Sequence, residues 1–149
     1  MNYDIFPENV KIDEITKAFI VSKETYQILL VNPELPDIYE RNELFLLIYA
    51  IYPKLTRITC YPLQNEPVFK IKLKLENTKH ETLTIINNLF SRNPLIHTTG
   101  LSKKNNYYIV ENYYKLCQDW SKIKSLIFQL NDIVHILQSQ VQTVKFHST

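Results

Sequence analysis

Residues 67–76, PVFKIKLKLE, alternate without a fault, with Phe69, Ile71, Leu73 and Leu75 on one side of an extended chain and Lys70, Lys72 and Lys74 on the other. Successive side chains of a strand point to opposite faces, so this period of two specifies a strand with one apolar face. Such a strand needs neighbours to pair with and a layer to cover it. The pattern predicts a half-buried strand whose lysines face water. RITCYPL, just upstream, reads as its partner through the connection QNE, giving a hairpin over 57–76.

The other segments supply further strands and the cover. AFIVSKETYQILLV reads as strands 18–21 and 26–31 around a polar SKET, although Ile12, Ile15, Phe19, Tyr26 and Leu30 also fall near helical spacing. Asp37 and Glu40 form a capping-box-like pair before RNELFLLIYAIYPKL, read as a largely buried helix that Pro53 ends or bends. Thr78 and Glu81 open a second helix over 79–92 with inner face Leu83, Ile86, Leu89 and Phe90, which Pro94 stops. LIHT is a short strand. Residues 106–116 follow as a strand with Tyr107, Ile109 and Tyr113 on one face and Tyr108, Val110, Tyr114 and Leu116 on the other.

Beyond a cap at Asp119 or Ser121, Ile123, Leu126, Leu130, Ile133, Leu137 and Val144 recur at helical spacing, widened by Ile127, Val134 and Val141. This predicts a long C-terminal amphipathic helix. The fold class is therefore α+β, a largely antiparallel sheet covered on one face by helices. No linker or repeat divides the chain, so residues 1–149 read as a single globular domain with a frayed tail at 145–149.

Several chemistries lack their residues. One glycine, Gly100, stands in the whole chain, whereas phosphate-cradling loops, dinucleotide turns and nucleophile elbows each need several. His80, His97, His135 and His147 are scattered, and Cys60 and Cys117 lie far apart, so no metal ligand set, cofactor site or disulfide framework is expected. No catalytic residue is nominated. The acidic N-terminus MNYDIFPENV is unlike a secretory signal, and the longest apolar run, residues 44–52, is half the length of a membrane span. These features read as an intracellular protein of a reducing compartment with no membrane partner.

Two binding functions remain. The helical stripe, through Leu130, Ile133, Leu137, Val141 and Val144, suggests a non-enzymatic subunit that assembles with another protein or a second copy of itself. The alternative joins Lys70, Lys72 and Lys74 to Tyr108 and Tyr114, with Lys103 and Lys104 nearby, as a stacking and cationic face for single-stranded nucleic acid. A net charge of +2 lends that reading little long-range attraction. CQDWSKIKSLIFQLNDIVHIL resembles the tryptophan and following helix of ubiquitin-conjugating domains and their inactive relatives, over about the last quarter of the chain. The likeness stops there: the place of that family's proline-rich loop carries the helix 79–92, no His-Pro-Asn motif occurs, and Cys117 stands too close to Trp120 for the catalytic cysteine.

Overall fold

A computed structural model describes residues 14–29 and 41–147, without the side chains of 27–29. The order is β1 (Thr16–Ser22), α1 (Lys23–Leu29), β2 (Leu44–Tyr52), β3 (Leu55–Leu63), β4 (Val68–Leu75), α2 (His80–Leu89), β5 (Leu95–Thr98), β6 (Ser102–Lys104), β7 (Tyr107–Lys115), α3 (Trp120–Asn131) and β8 (Ile136–Thr143). All strand pairings between these elements are antiparallel, and the mixed α+β class holds. The described residues group into two compact units, one of Glu14 with Pro67–Thr143 and one drawn from Ile15–Glu66 with residues 144–147.

The larger unit carries a sheet in the order β5-β7-β4-β8, with β6 also paired to β7. Phe69, Ile71, Leu73 and Leu75 share a face with Val110, Tyr114 and Val141, and this face packs against Ile86 and Phe90 of the α2 region and Ile123, Ile127 and Leu130 of α3. The alternation of 67–76 thus produces the strand and the core face expected of it. Its partner differs. β3 pairs with β2, and β4 runs between β7 and β8, so the expected 57–76 hairpin does not form.

The long C-terminal helix is also corrected. α3 stops at Asn131, Asp132 and Ile133 donate their N–H groups to the Gln129 and Leu130 carbonyls, and the chain turns through His135 into β8. His135 adopts a left-handed φ of 77°, a conformation that reverses the chain and is uncommon outside glycine and asparagine. Its carbonyl accepts the Glu76 N–H at 2.9 Å, and its Nδ1 lies 2.9 Å from Glu76 Oε2. The physical reason for the exchange of helix for strand is β4: its second edge requires a partner, and residues 136–143 supply one.

The smaller unit is a three-stranded sheet ordered β1-β2-β3. Residues 44–52, expected in a helix, form its middle strand, because a continuous apolar run suits a strand paired on both edges. Residues 23–29, expected to enter a second strand, form α1 instead, with Ser22 Oγ accepting the Thr25 N–H at 3.2 Å as an N-cap. Tyr26 stacks on Phe45 at 4.6 Å and joins Val21 and Leu47 in this unit's core. Lys145 and His147, in the segment expected to fray, hydrogen-bond Ile20 of β1. The Asp37–Glu40 capping pair lies outside the described residues. At α2 the N-cap is Lys79, not Thr78, and makes no side-chain cap bond.

Leu73→Ala removes a fully buried side chain from the central strand and should cost about 2–5 kcal/mol in urea unfolding. Leu137 is half exposed, where the β4–β8 register shifts, and its replacement by alanine should change stability by about 0.5 kcal/mol or less.

Candidate functional site

The residues of the expected helical interface do not share a surface. Leu130 and Val141 are fully buried in the larger core and Ile133 packs against it. Leu137 sits exposed in β8, and Val144 belongs to the smaller unit. A stripe drawn at helical spacing is divided once residues 136–143 become extended.

The lysine and tyrosine candidates are likewise separated. By register, Phe69 lies opposite Tyr114 and Leu75 opposite Tyr108, so both tyrosines face the helix-covered side. Tyr114 stacks on Phe69 at 5.4 Å and tilts against Phe90 at 5.3 Å, and burial raises its hydroxyl above the ordinary phenol range against an opposing hydrogen bond from Asn112. The lysines lie on the other face, opposite Tyr113, Glu111 and Ile109. There the expectation of solvated lysines fails: Lys70 and Lys72 are 3% and 1% exposed. A buried ammonium requires compensation. Lys70 Nζ finds it at Glu111 Oε2, 2.9 Å away, and at Glu14 Oε1, 3.3 Å away, above the Tyr113 ring. Lys74 Nζ lies 4.2 Å from the centre of the Tyr107 ring, and Lys104 stands opposite Tyr107 on β6. Lys103 and Lys104 are exposed.

The smaller unit presents a different arrangement. Its register aligns Phe19 with Leu47 and Cys60, then Tyr49 with Ile58, then Ile51 with Thr56, all on the face that carries α1. Tyr26 of α1 packs on the inner end of this face. The outer end is left open. Phe19, Ile58 and Ile51 are 37%, 42% and 69% exposed, and Tyr49 meets Phe19 edge-on at 6.2 Å. Beside this apolar surface β3 forms one edge of the sheet, and among the described residues no strand pairs with its outer side. Residues 55–58 are all exposed. The opposite edge, β1, is bonded by Lys145 and His147. Lys17 adds a cation on the apolar side, and Arg57 on the reverse side.

Sequence reasoning missed this edge because residues 44–52 were assigned to a helix. The signal was present as two β-rich runs, LFLLIYAIY and LTRITCYPL, on either side of Pro53 and Lys54.

The two thiols differ in character. Cys60 is half-buried beside Tyr26, and burial, only partly opposed by a hydrogen bond with Tyr26, pushes its pKa up to about 11. Cys117 is exposed, with its backbone N–H donating to Asn93 Oδ1 at 3.2 Å. A cleft of about 320 Å³ between α2 and α3 gathers Arg92, Lys122, Gln118 and Gln129 but no carboxylate. Among the described residues no helix is long and apolar enough to cross a membrane.

Glu111→Ala leaves Lys70 without its closest, fully buried counter-charge and should destabilise the chain by about 3–5 kcal/mol in denaturant unfolding, with much of the loss recovered by Lys70→Met in the same background. A thiol reagent at pH 8 should modify Cys117 rapidly and Cys60 only on unfolding, read by mass spectrometry of peptides. The raised pKa of Cys60 contributes stability that is present below pH 9 and lost as pH rises toward about 11. Compared with models of known protein families and with curated protein sequences, the chain has no match in either.

Proposed function

We propose that the chain is a non-enzymatic interaction subunit that binds an extended segment of another protein by strand addition to β3. The observation that carries this reading is the exposed apolar end of the smaller sheet lying directly beside its open edge. An exposed strand edge offers a row of backbone donors and acceptors to an incoming chain, and pockets or patches on either face then select its alternate side chains. An incoming strand along Leu55–Cys60 would lay every second side chain beside Ile58, Tyr49 and Ile51, and the others beside Arg57. With Arg57 on the reverse side of β3 and Lys54 in the turn before it as nearby cations, the fitting partner alternates apolar and acidic residues.

Strand addition keeps the assembly function expected of the chain and moves it from the C-terminal stripe to β3. The lysine and tyrosine face supports single-stranded nucleic acid less well, since the two residue sets point to opposite sides of their sheet and two of the three lysines are buried.

The test uses the full chain, isotope-labelled, titrated with an acetylated peptide of alternating valine and glutamate. Amide shifts should concentrate on residues 55–60, and Ile58→Asp or Arg57→Glu should weaken binding by about tenfold or more. Shifts elsewhere, or equal binding by the variants, would contradict the proposal. Light scattering alongside would distinguish self-association: a dimer dissolved by Ile58→Asp would make a second copy the occupant in place of a foreign strand.

A further inference from the structure

Both backbone groups of Ile20 are engaged on the outer side of β1. Its N–H donates to the Lys145 carbonyl at 2.9 Å, and its carbonyl accepts the His147 N–H at 2.8 Å. These two bonds make Phe146 the parallel bridge partner of Ile20. The hydrogen bonds of an antiparallel strand alternate between its two sides, so Ala18, two residues earlier, also turns its N–H and C=O outward. Among the described residues, neither group of Ala18 has a backbone partner there. The C-terminal segment therefore covers the edge of seven-residue β1 for one bridge and no further.

The hold on this segment is slight. Residues 145–147 are all exposed, and Phe146, the bridging residue, keeps 56% of its surface in water. To the two backbone bonds is added a ring contact, His147 meeting Phe19 edge-on at 5.6 Å. Exposed backbone bonds with little buried apolar surface around them are the ones that open first in a native protein. β1 is anchored differently: Ile20 and Val21 are buried, and its register with β2 runs from Thr16 to Ser22 without a shift. The segment can leave β1 while β1 stays in its sheet.

We propose that residues 144–147 are a displaceable strap, and that its release opens β1 as a second edge for strand addition. The occupant is an extended segment of another protein, running parallel to β1, with an aromatic ring in the place of His147. The strap is itself a sample of what the edge accepts: a parallel direction, Ile20 at the centre of the pairing, and a ring against Phe19. A longer segment gains the bonds to Ala18 that the strap leaves unmade. Its apparent affinity is lowered by the fraction of chains in which the strap is shut. This site is separate from the β3 edge and stands whether or not β3 takes a strand.

The test uses the full chain carrying His147→Pro, which deletes the N–H that the Ile20 carbonyl accepts and alters no residue of the sheet. Amide exchange at Ile20 should be about tenfold or more faster in this variant, with Phe45 and Leu47 of β2 unchanged. An acetylated peptide of residues 143–147, titrated into both chains, should shift the Ala18 and Ile20 amides and bind the variant about tenfold or more tightly. Should the variant not fold, exchange on the unaltered chain decides the matter: Ile20 should exchange well ahead of Phe45 and Leu47. Exchange at Ile20 as slow as at those two residues, equal peptide binding by the two chains, or no binding to the variant would overturn the proposal. Peptide shifts at residues 55–60 in place of β1 would overturn it as well, by seating the peptide on the other edge.

Discussion

The larger unit depends on β4 being paired along both edges. A strand between two others has its backbone groups bonded on each side, and its two faces are then committed for their whole length. One face supplies Phe69, Ile71, Leu73 and Leu75 to the core under α2 and α3. The other carries three lysines, and the structure accommodates two of them by burial, with Glu111 and Glu14 closing on Lys70. Those lysines are the most demanding residues of the fold, since an uncompensated buried charge destabilises far more than a missing apolar contact. β8 follows from the same requirement: a central β4 needs a second neighbour, so the chain leaves α3 at Asn131, reverses at His135 and returns as strand.

The smaller unit treats its edges unequally, and that asymmetry supports its proposed role. β1 is bonded by Lys145 and His147, whereas β3 offers Leu55–Cys60 beside the exposed Ile51 and Ile58. Exposed edges are commonly blunted by brevity, bulges or charge. β3 has nine residues, a register with β2 that runs without a shift, and one charged side chain, Arg57. An edge of that length and composition is suited to a partner strand.

How much of this could be read in the sequence depended on whether a segment's period had one interpretation. The alternation of 68–75 admits only a strand, and the stripe of α2 and the paired faces of 107–115 were equally plain. Residues 44–52 are apolar throughout, and a continuous run fits a buried helix and a doubly paired strand alike. The end of α3 was hidden for a different reason. The reversal uses His135 where glycine or proline would have announced it, and the apolar residues beyond it happen to continue the helical spacing. Strand neighbours are not encoded locally at all, which is why the lysines were joined to Tyr108 and Tyr114 when register joins them to Tyr113, Glu111 and Ile109.

The open β3 edge is tested most directly by residue-resolved amide hydrogen exchange on the chain alone. A strand paired on one side protects every second amide, so residues 55–60 should alternate between fast and slow exchange while β4, paired on both sides, is protected continuously. Uniform protection along residues 55–60 would mean that the edge is already covered, and would contradict a role for it in recruiting another strand.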